Sequence, residues 1–579
     1  IQTQLSTAER IETLFQPGHG SVISELESFF DEVHKLTAHP DNVSSQTLAV
    51  RSLDRLVTES NRLSRELNSM LSVIDEQADQ AIRQIEQLSE DIVKLDLEIK
   101  AARLGGEAPN NLLDRRAQRL QELAELIDVE VDVQRNIGTD ETFPEYRYRL
   151  ADGFTSFGTK PIDLATAVDE DGRLMVKEDG KDRLFNVTAG KLGGMLTARN
   201  ELGGKYTDNL DEFTRELFGR LNTINATGLG LETGYPFVVG GRLIEDLTVP
   251  LNQLEGFSNI KAGELFVNVV APDGTQSLHR VEIDPAVDSA NDMVAALDAI
   301  PFISANIDPA VPQLTLAAYD GYQFNFTGAL ATSLDLTSVA GTVVPKLSGK
   351  YTGPINREIT FTMPRDGVIG LTAGLQLEVY EGSKALGVFD IGEGYEPGTE
   401  ISIGEGVSIT MSEGTVVAGD TFESFFVAEP DTANFLTSAG INNLILGDGL
   451  GQYYVNPEVM EDTSRLATRH FGEPLDTTNA IRMLEVRDEA FFSNGTQTPH
   501  QFFTEIITTV GTDSADLAAA ESALATAGEA LRAKQLGISG VDPNEEMVRM
   551  LQYQRAFQSA ARFIVSVDET LEELFNIIR

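Results

Sequence analysis

The residues best suited to metal binding or proton transfer are six histidines, His19, His34, His39, His279, His470 and His500. None falls in a spacing such as His-Glu-x-x-His, which would set two imidazoles on one helix face. Surface or turn positions are expected for them, with His500 just inside a helix cap. Asp169-Glu170-Asp171-Gly172 starts like a calcium loop. The later oxygen ligands and the closing glutamate are not at their positions, so a polar turn is expected. Gly447-Asp448-Gly449-Leu450-Gly451 has the glycines of a phosphate loop but neither its Lys-Ser/Thr pair nor a following helical run, which predicts a flexible loop. Carboxylates are so abundant that no pair stands out as an acid–base dyad. Cysteine is absent, which removes thiolate nucleophiles, disulfides and cysteine zinc sites together. No catalytic, cofactor-binding or metal-ligating residue is assigned, no cofactor is implied, and no enzymatic activity is expected.

The formal charge of −46, from 90 acidic and 44 basic residues, decides what the surface can meet. It repels phosphate backbones and anionic headgroups, so neither nucleic acid nor membrane is an expected partner, and it favours solubility. The chain has no apolar run long enough to span a bilayer, and no signal-peptide core follows Ile1. It lacks an initiator Met, so an N-terminal segment before Ile1 is expected. If the protein is exported, its address lies in that segment or is not a cleaved signal. The lack of cysteine leans towards export.

Chemistry being scarce, the elements carry the reading. Leu67, Leu71, Ile74, Ala78, Ala81, Ile85, Leu88, Ile92, Leu95, Ile99 and Ala102 alternate steps of four and three, a heptad seam that predicts one long helix stopped by Gly105-Gly106 and Pro109. A second helix through Leu113, Leu120, Leu123 and Ile127 reverses onto it. Leu26, Phe29, Phe30, Val33 and Leu36 predict a short helix ending near Pro40. At the other end, Thr498-Pro499-His500-Gln501 reads as a capping box. It opens a seam of Phe503, Ile506, Val510, Leu517, Ala520, Leu524, Ala527 and Leu531, with only Asp513 off pattern and an end at Gly537 and Gly540. Asp542, Pro543 and Glu545 form a second cap ahead of a terminal helix of roughly 50 Å. Seams of this kind must leave water, so helices near the two ends should associate and the middle should project from them.

The middle alternates with period two. Ile359-Phe361-Met363, Leu375-Leu377-Val379, Ile401-Ile403 and Val407-Ile409-Met411 predict half-buried strands punctuated by glycines. Leu265-Val267-Val269 and Leu314-Leu316 flank a short helix near 290–299. Tyr206, Leu210, Phe213, Leu217, Leu221 and Ile224 mark a helix that rejoins the bundle. The expected fold class is α+β multidomain, an elongated coiled-coil-like helical bundle made by the N- and C-terminal segments, with β-rich outer domains inserted. The expected divisions are 1–136, the N-terminal part of the bundle; 137–187, a β-rich excursion; 188–232, the central helix; 233–345, an α+β insert; 346–430, an all-β outer domain; 431–540, a return segment with bundle helices; and 541–579, the terminal helix.

The terminal helix carries Met547, Met550, Phe557, Ala561, Ile564, Leu571, Phe575 and Ile578. It is terminal, follows a glycine break and has no evident partner in the chain, which points to a subunit or chaperone contact.

Several segments carry a family resemblance. Ser539-Gly540-Val541-Asp542, Glu545-Glu546-Met547, Gln554-Arg555-Ala556-Phe557-Gln558 and residues 571–579 resemble the C-terminal motif shared by flagellar rod, hook and hook-associated proteins. Asn110-Asn111-Leu112-Leu113-Asp114-Arg115-Arg116, Gly190-Lys191-Leu192-Gly193-Gly194-Met195-Leu196, Asp476-Thr477-Thr478-Asn479-Ala480 and Val455-Asn456-Pro457 resemble the hook-associated protein 1, or FlgK, type. The resemblance implies an extracellular structural subunit that joins hook to filament as a ring of copies. Its implied partners are hook protein, the second junction protein, other copies of itself, and an export chaperone on the C-terminal helix. Export through the flagellar type III apparatus is implied too, and lack of cysteine and of a cleaved signal suits that route. The N-terminal helix that pairs with the tail in this family is not seen before Ile1, and a monomer with a partner-seeking C-terminal helix is expected on that ground. The alternatives are another axial protein (a second junction protein or hook-type subunit) and, more distantly, a secreted enzyme with an acidic cleft in its β-domains.

Overall fold

The computed structural model describes residues 1–134, 145–447, 449–471, 475–539 and 543–578. Its helices are α1 (Gln2–Phe15), α2 (Val22–Ala38), α3 (Val43–Leu104), α4 (Asn110–Leu126), α5 (Gly190–Thr197), α6 (Gly204–Ala226), α7 (Ala290–Asp298), α8 (Phe435–Ala439), α9 (Pro457–Glu461), α10 (Thr478–Glu485), α11 (Pro499–Ser539) and α12 (Pro543–Ile577). The heptad seam does form one helix, but α3 starts 24 residues before Leu67. Asn42 caps it, its side chain accepting from Ser45 N–H at 3.1 Å, and no breaker follows until Gly105. At 62 residues it is roughly 90 Å long. Most of the predicted stripe is buried on it, with Leu71, Leu88 and Ala102 half-buried. The short α1, which the sequence pattern does not single out, buries Ala8, Ile11 and Phe15.

Two cores lie along α3. The first takes residues up to Met70, together with α1, α2, α6, α10 and the start of α11. The second begins at Ile74 and includes α4, α5 and antiparallel strands between residues 129 and 185. There Asp96 on α3 accepts from Arg116 at 2.9 Å and from the Tyr148 hydroxyl at 2.6 Å, which fastens α4 and a strand to the helix tip. Between α5 and α6 the chain makes a π-helical turn, Ala198–Gly203. The predicted face follows this turn within α6, and Tyr206, Leu210, Phe213, Leu217, Leu221 and Ile224 are all buried.

A third core holds α7 against four antiparallel strands, the long hairpin Gly263–Val270 with Gln276–Ile283 and the pair Ile303–Asp308 with Val311–Ala318. Ser289 and Asp292 close a capping box at the start of α7. The fourth core is all β, and a four-stranded sheet holds the strands Arg357–Thr362 and Gln376–Glu381. Ile359, Phe361, Met363, Leu375, Leu377, Val379, Val407, Ile409 and Met411 all face it, while Ile401 and Ile403 are only half-buried. The chain then returns through α8, where buried Asp431 accepts from the N–H groups of Phe435 and Leu436 at 3.0 and 2.7 Å. Asn222 of α6 clamps the return segment through both the N–H and the C=O of Ile445.

Candidate functional site

The described residues hold no group of three or more metal-ligating side chains, and the candidate site lies on the terminal helices. Thr498 and Gln501 make the reciprocal bonds of a capping box: Gln501 N–H donates to the Thr498 hydroxyl at 3.3 Å, and Thr498 N–H to the Gln501 side chain at 3.0 Å. From that start α11 plants Phe503 in an aromatic cluster. Its ring stands edge-on to Phe213 with centroids 4.9 Å apart and lies 6.0 Å from Phe15 on α1. Ile506 and Val510 follow into the core. Asp513, off pattern in the seam, accepts from Lys205 at 2.9 Å and from the Tyr206 hydroxyl at 2.5 Å. Burial alone would push its carboxyl up, but those two donors outweigh it and hold the pKa below the ordinary value. The Tyr206 hydroxyl is raised, by burial first, then by its hydrogen bond to Asp513 and by that carboxylate's charge. A polar residue in an apolar seam thus ties α11 to α6. Gln2 reaches Glu521 at 3.2 Å, so α1 runs antiparallel to α11 over this stretch.

Beyond it the expectation of a closed seam is overturned. Leu524, Leu531 and Leu536 are 58%, 68% and 69% exposed, because no element among the described residues lies over them. The helix runs through Gly537, the first of the two glycines expected to end it, and ends at Ser539, just before the second. An isolated glycine lowers helix stability without breaking it.

α12 is exposed along its length. Met547, Met550, Phe557, Ile564, Leu571 and Ile578 all lie open, as does Ala561, while the side chain of Phe575 lies outside the described residues. Four intervals of seven link Met550, Phe557, Ile564, Leu571 and, one residue past the helix, Ile578, a coiled-coil repeat that no element among the described residues covers. Tyr553, Phe563, Val567, Leu574 and Ile577 are exposed as well and were missed by sequence reasoning. Their signal was available as a second apolar stripe offset from the first. A helix apolar on two stripes is built to be covered from two sides. The cap expected before it is half described: Pro543 opens the helix and Glu545 and Glu546 occupy the first turn, whereas Asp542 lies outside the described residues.

The other candidates resolve as architecture. Asp169 accepts from the N–H groups of Asp171 and Arg173 at 3.0 and 2.8 Å and closes a hairpin. Gly447, Gly449 and Gly451 have positive φ in a loop between two short strands, and Asp448 lies outside the described residues. His470 corrects the expectation of a surface or turn position. It is 7% exposed, with its ring edge-on to Phe471, and burial followed by the Arg482 charge drives its pKa down to about 3. His500 does sit in the first turn of α11, 3.3 Å from Glu27. Among the described residues no group of three His, Asp or Glu side chains could hold a metal, and no helix is long and apolar enough to cross a membrane.

Comparison with known proteins bears on the same two ends. Residues 8–237 match the family described as "Flagellar hook-associated protein FlgK helical domain", and residues 533–577 match "Flagellar basal body rod FlgEFG protein C-terminal". Both matches are to families of flagellar axial proteins, and the one over residues 8–237 is to the FlgK helical domain, the type that the sequence resemblance implied. Flagellar hook-associated protein 1 of Escherichia coli (strain K12) is 23% identical over 347 residues, covering 58% of this chain and 60% of the relative. The Salmonella typhimurium protein of the same name is 24% identical over 309 residues, covering 52% and 51%. The chain thus spans between half and two thirds of the length of these relatives. Among solved structures, the flagellar hook junction protein FlgK from Burkholderia pseudomallei aligns over 92% of this chain and 97% of its own, at 16% identity and a TM-score of 0.47.

Proposed function

We propose that this chain is a structural subunit of the bacterial flagellum that joins hook to filament as a ring of copies. The observation that carries the reading is the juxtaposition of a FlgK-type helical bundle with a terminal helix whose two apolar stripes stay uncovered. Each large side chain on those stripes contributes about 1.5–3 kcal/mol when buried, so packing against neighbouring subunits supplies the cohesion. Met547, Met550, Phe557, Ala561, Ile564, Leu571, Phe575 and Ile578 form the contact, and Asp542, Pro543 and Glu545 start its helix. The partners are hook protein, the second junction protein, further copies of the chain and, before export, a chaperone on the same helix. Export is through the flagellar type III apparatus to the cell exterior. The domains follow the divisions at 136, 187, 232, 345, 430 and 540, with the β-rich ones outermost. No enzymatic step belongs to this role.

Deletion of the gene in its own bacterium is the test. Complete hooks with flagellin shed into the medium are expected, rescued by the full chain and not by one ending at Ser539. Loss of the hook itself would move the assignment to a hook-type subunit, and normal filaments would refute the role.

A further inference from the structure

The α+β insert carries a local conflict between residue and backbone. Ile300, Pro301, Phe302 and Ile303 form a tight turn closed by Ile303 N–H donating to Ile300 C=O at 3.2 Å, with Phe302 at φ +65°. Glycine or asparagine is the residue for that third position, because Cβ crowds the backbone there. Burial does not explain the phenylalanine, which is 44% exposed. Its ring stacks on Tyr322 with centroids 4.1 Å apart and planes 7° from parallel, and Tyr319 stands at 86° to it. Tyr319 N–H donates to Phe302 C=O at 2.9 Å, which sets the two side by side. Phe237 pairs with Ala317, and strand alternation puts Ala317 and Tyr319 on one face, so Phe237 joins the same outward surface. Among the described residues before α12, the large exposed aromatics are Phe154, Phe237, Phe302, Tyr319 and Tyr454; Phe302 and Tyr319 meet here, with Phe237 on the same face of the neighbouring strand.

The charge of the stretch of sequence that carries the ledge selects the occupant. Residues 281–345 contain eight acidic side chains and no Lys or Arg, with Asp320 next to Tyr319 and Asp298 four residues before Phe302. We propose that this aromatic ledge docks a cationic segment of another protein, a lysine or arginine lying against the Phe302 and Tyr319 rings within an acidic field. The stretch is acidic, as is the chain at −46 overall, so a basic segment is favoured at this ledge over an acidic one. The inference is independent of the junction role, since it concerns the insert alone and is read on the purified full chain.

Fluorescence anisotropy of a labelled Gly-Lys repeat peptide, against its lysine-acetylated form, tests it. Phe302→Gly and Tyr319→Ser should each weaken the cationic peptide by about fivefold or more. The acetylated peptide should not bind, and binding should fade with added salt. Phe302→Gly should keep the parent Tm, because glycine accepts φ +65° without crowding. Affinity that survives either substitution overturns the proposal, as does equal binding of the acetylated peptide. A steep fall in Tm for Phe302→Gly also overturns it, by showing that the ring is held for packing.

Discussion

Asp431 and His470, both buried, titrate in opposite senses. Burial raises the Asp431 carboxyl to about 6, against the N–H donors of Leu436 and Phe435 that favour its charge. Its stabilising contribution is present below the unfolded value and is lost as pH rises through 6. His470 is held down near 3, so its contribution is present above the ordinary imidazole value and is lost as pH falls below it. Asp431→Asn, compared with the parent, should gain stability as pH rises from 4 to 7, and His470→Gln should gain as pH falls over the same window. Each difference follows about 1.4 kcal/mol per pH unit at most, read from denaturant melts at several pH values. The glycine segment 190–194 has an equally local cause. Gly190 lies at φ +71°, and a Cβ on Gly193 would sit 2.6 Å from the Thr188 carbonyl carbon. Gly193→Ala should cost about 1–3 kcal/mol in a urea melt, as overpacking does.

At the scale of elements, α11 divides at Glu521. Its first part is held by Phe503, Ile506, Val510 and the Asp513 bonds, and its second part by nothing among the described residues. Asp513→Ala should lower stability by about 1–2 kcal/mol, since two donors on α6 lose a charged acceptor. Ending the chain at Ser539 should leave the thermal midpoint of the bundle in place, because α12 contributes to none of the four cores. A clear fall in that midpoint would show that α12 folds back onto the body.

For the whole molecule, an acidic body bears an uncovered apolar tail. The full chain, monomeric when dilute, should bind the dye ANS and associate as its concentration is raised in light scattering, and the chain ending at Ser539 should do neither. Salt should strengthen that association by screening the −46 charge.

Heptad spacing and strand alternation are properties of neighbouring residues, so the long helix, its reversal at Gly105, the capping box at Thr498 and the strands of the two inserts were legible in the sequence. The start of α3, the π turn and the role of Asp513 were not. The role of Asp513 depends on partners 308 and 307 residues away and the start of α3 on a cap, neither of which a periodic pattern registers. An apolar stripe states that a surface needs covering, because that follows from its side chains alone. Which stripes are covered within the chain, and which are left for another subunit, is decided by the folded path of distant segments, and so only by the tertiary structure.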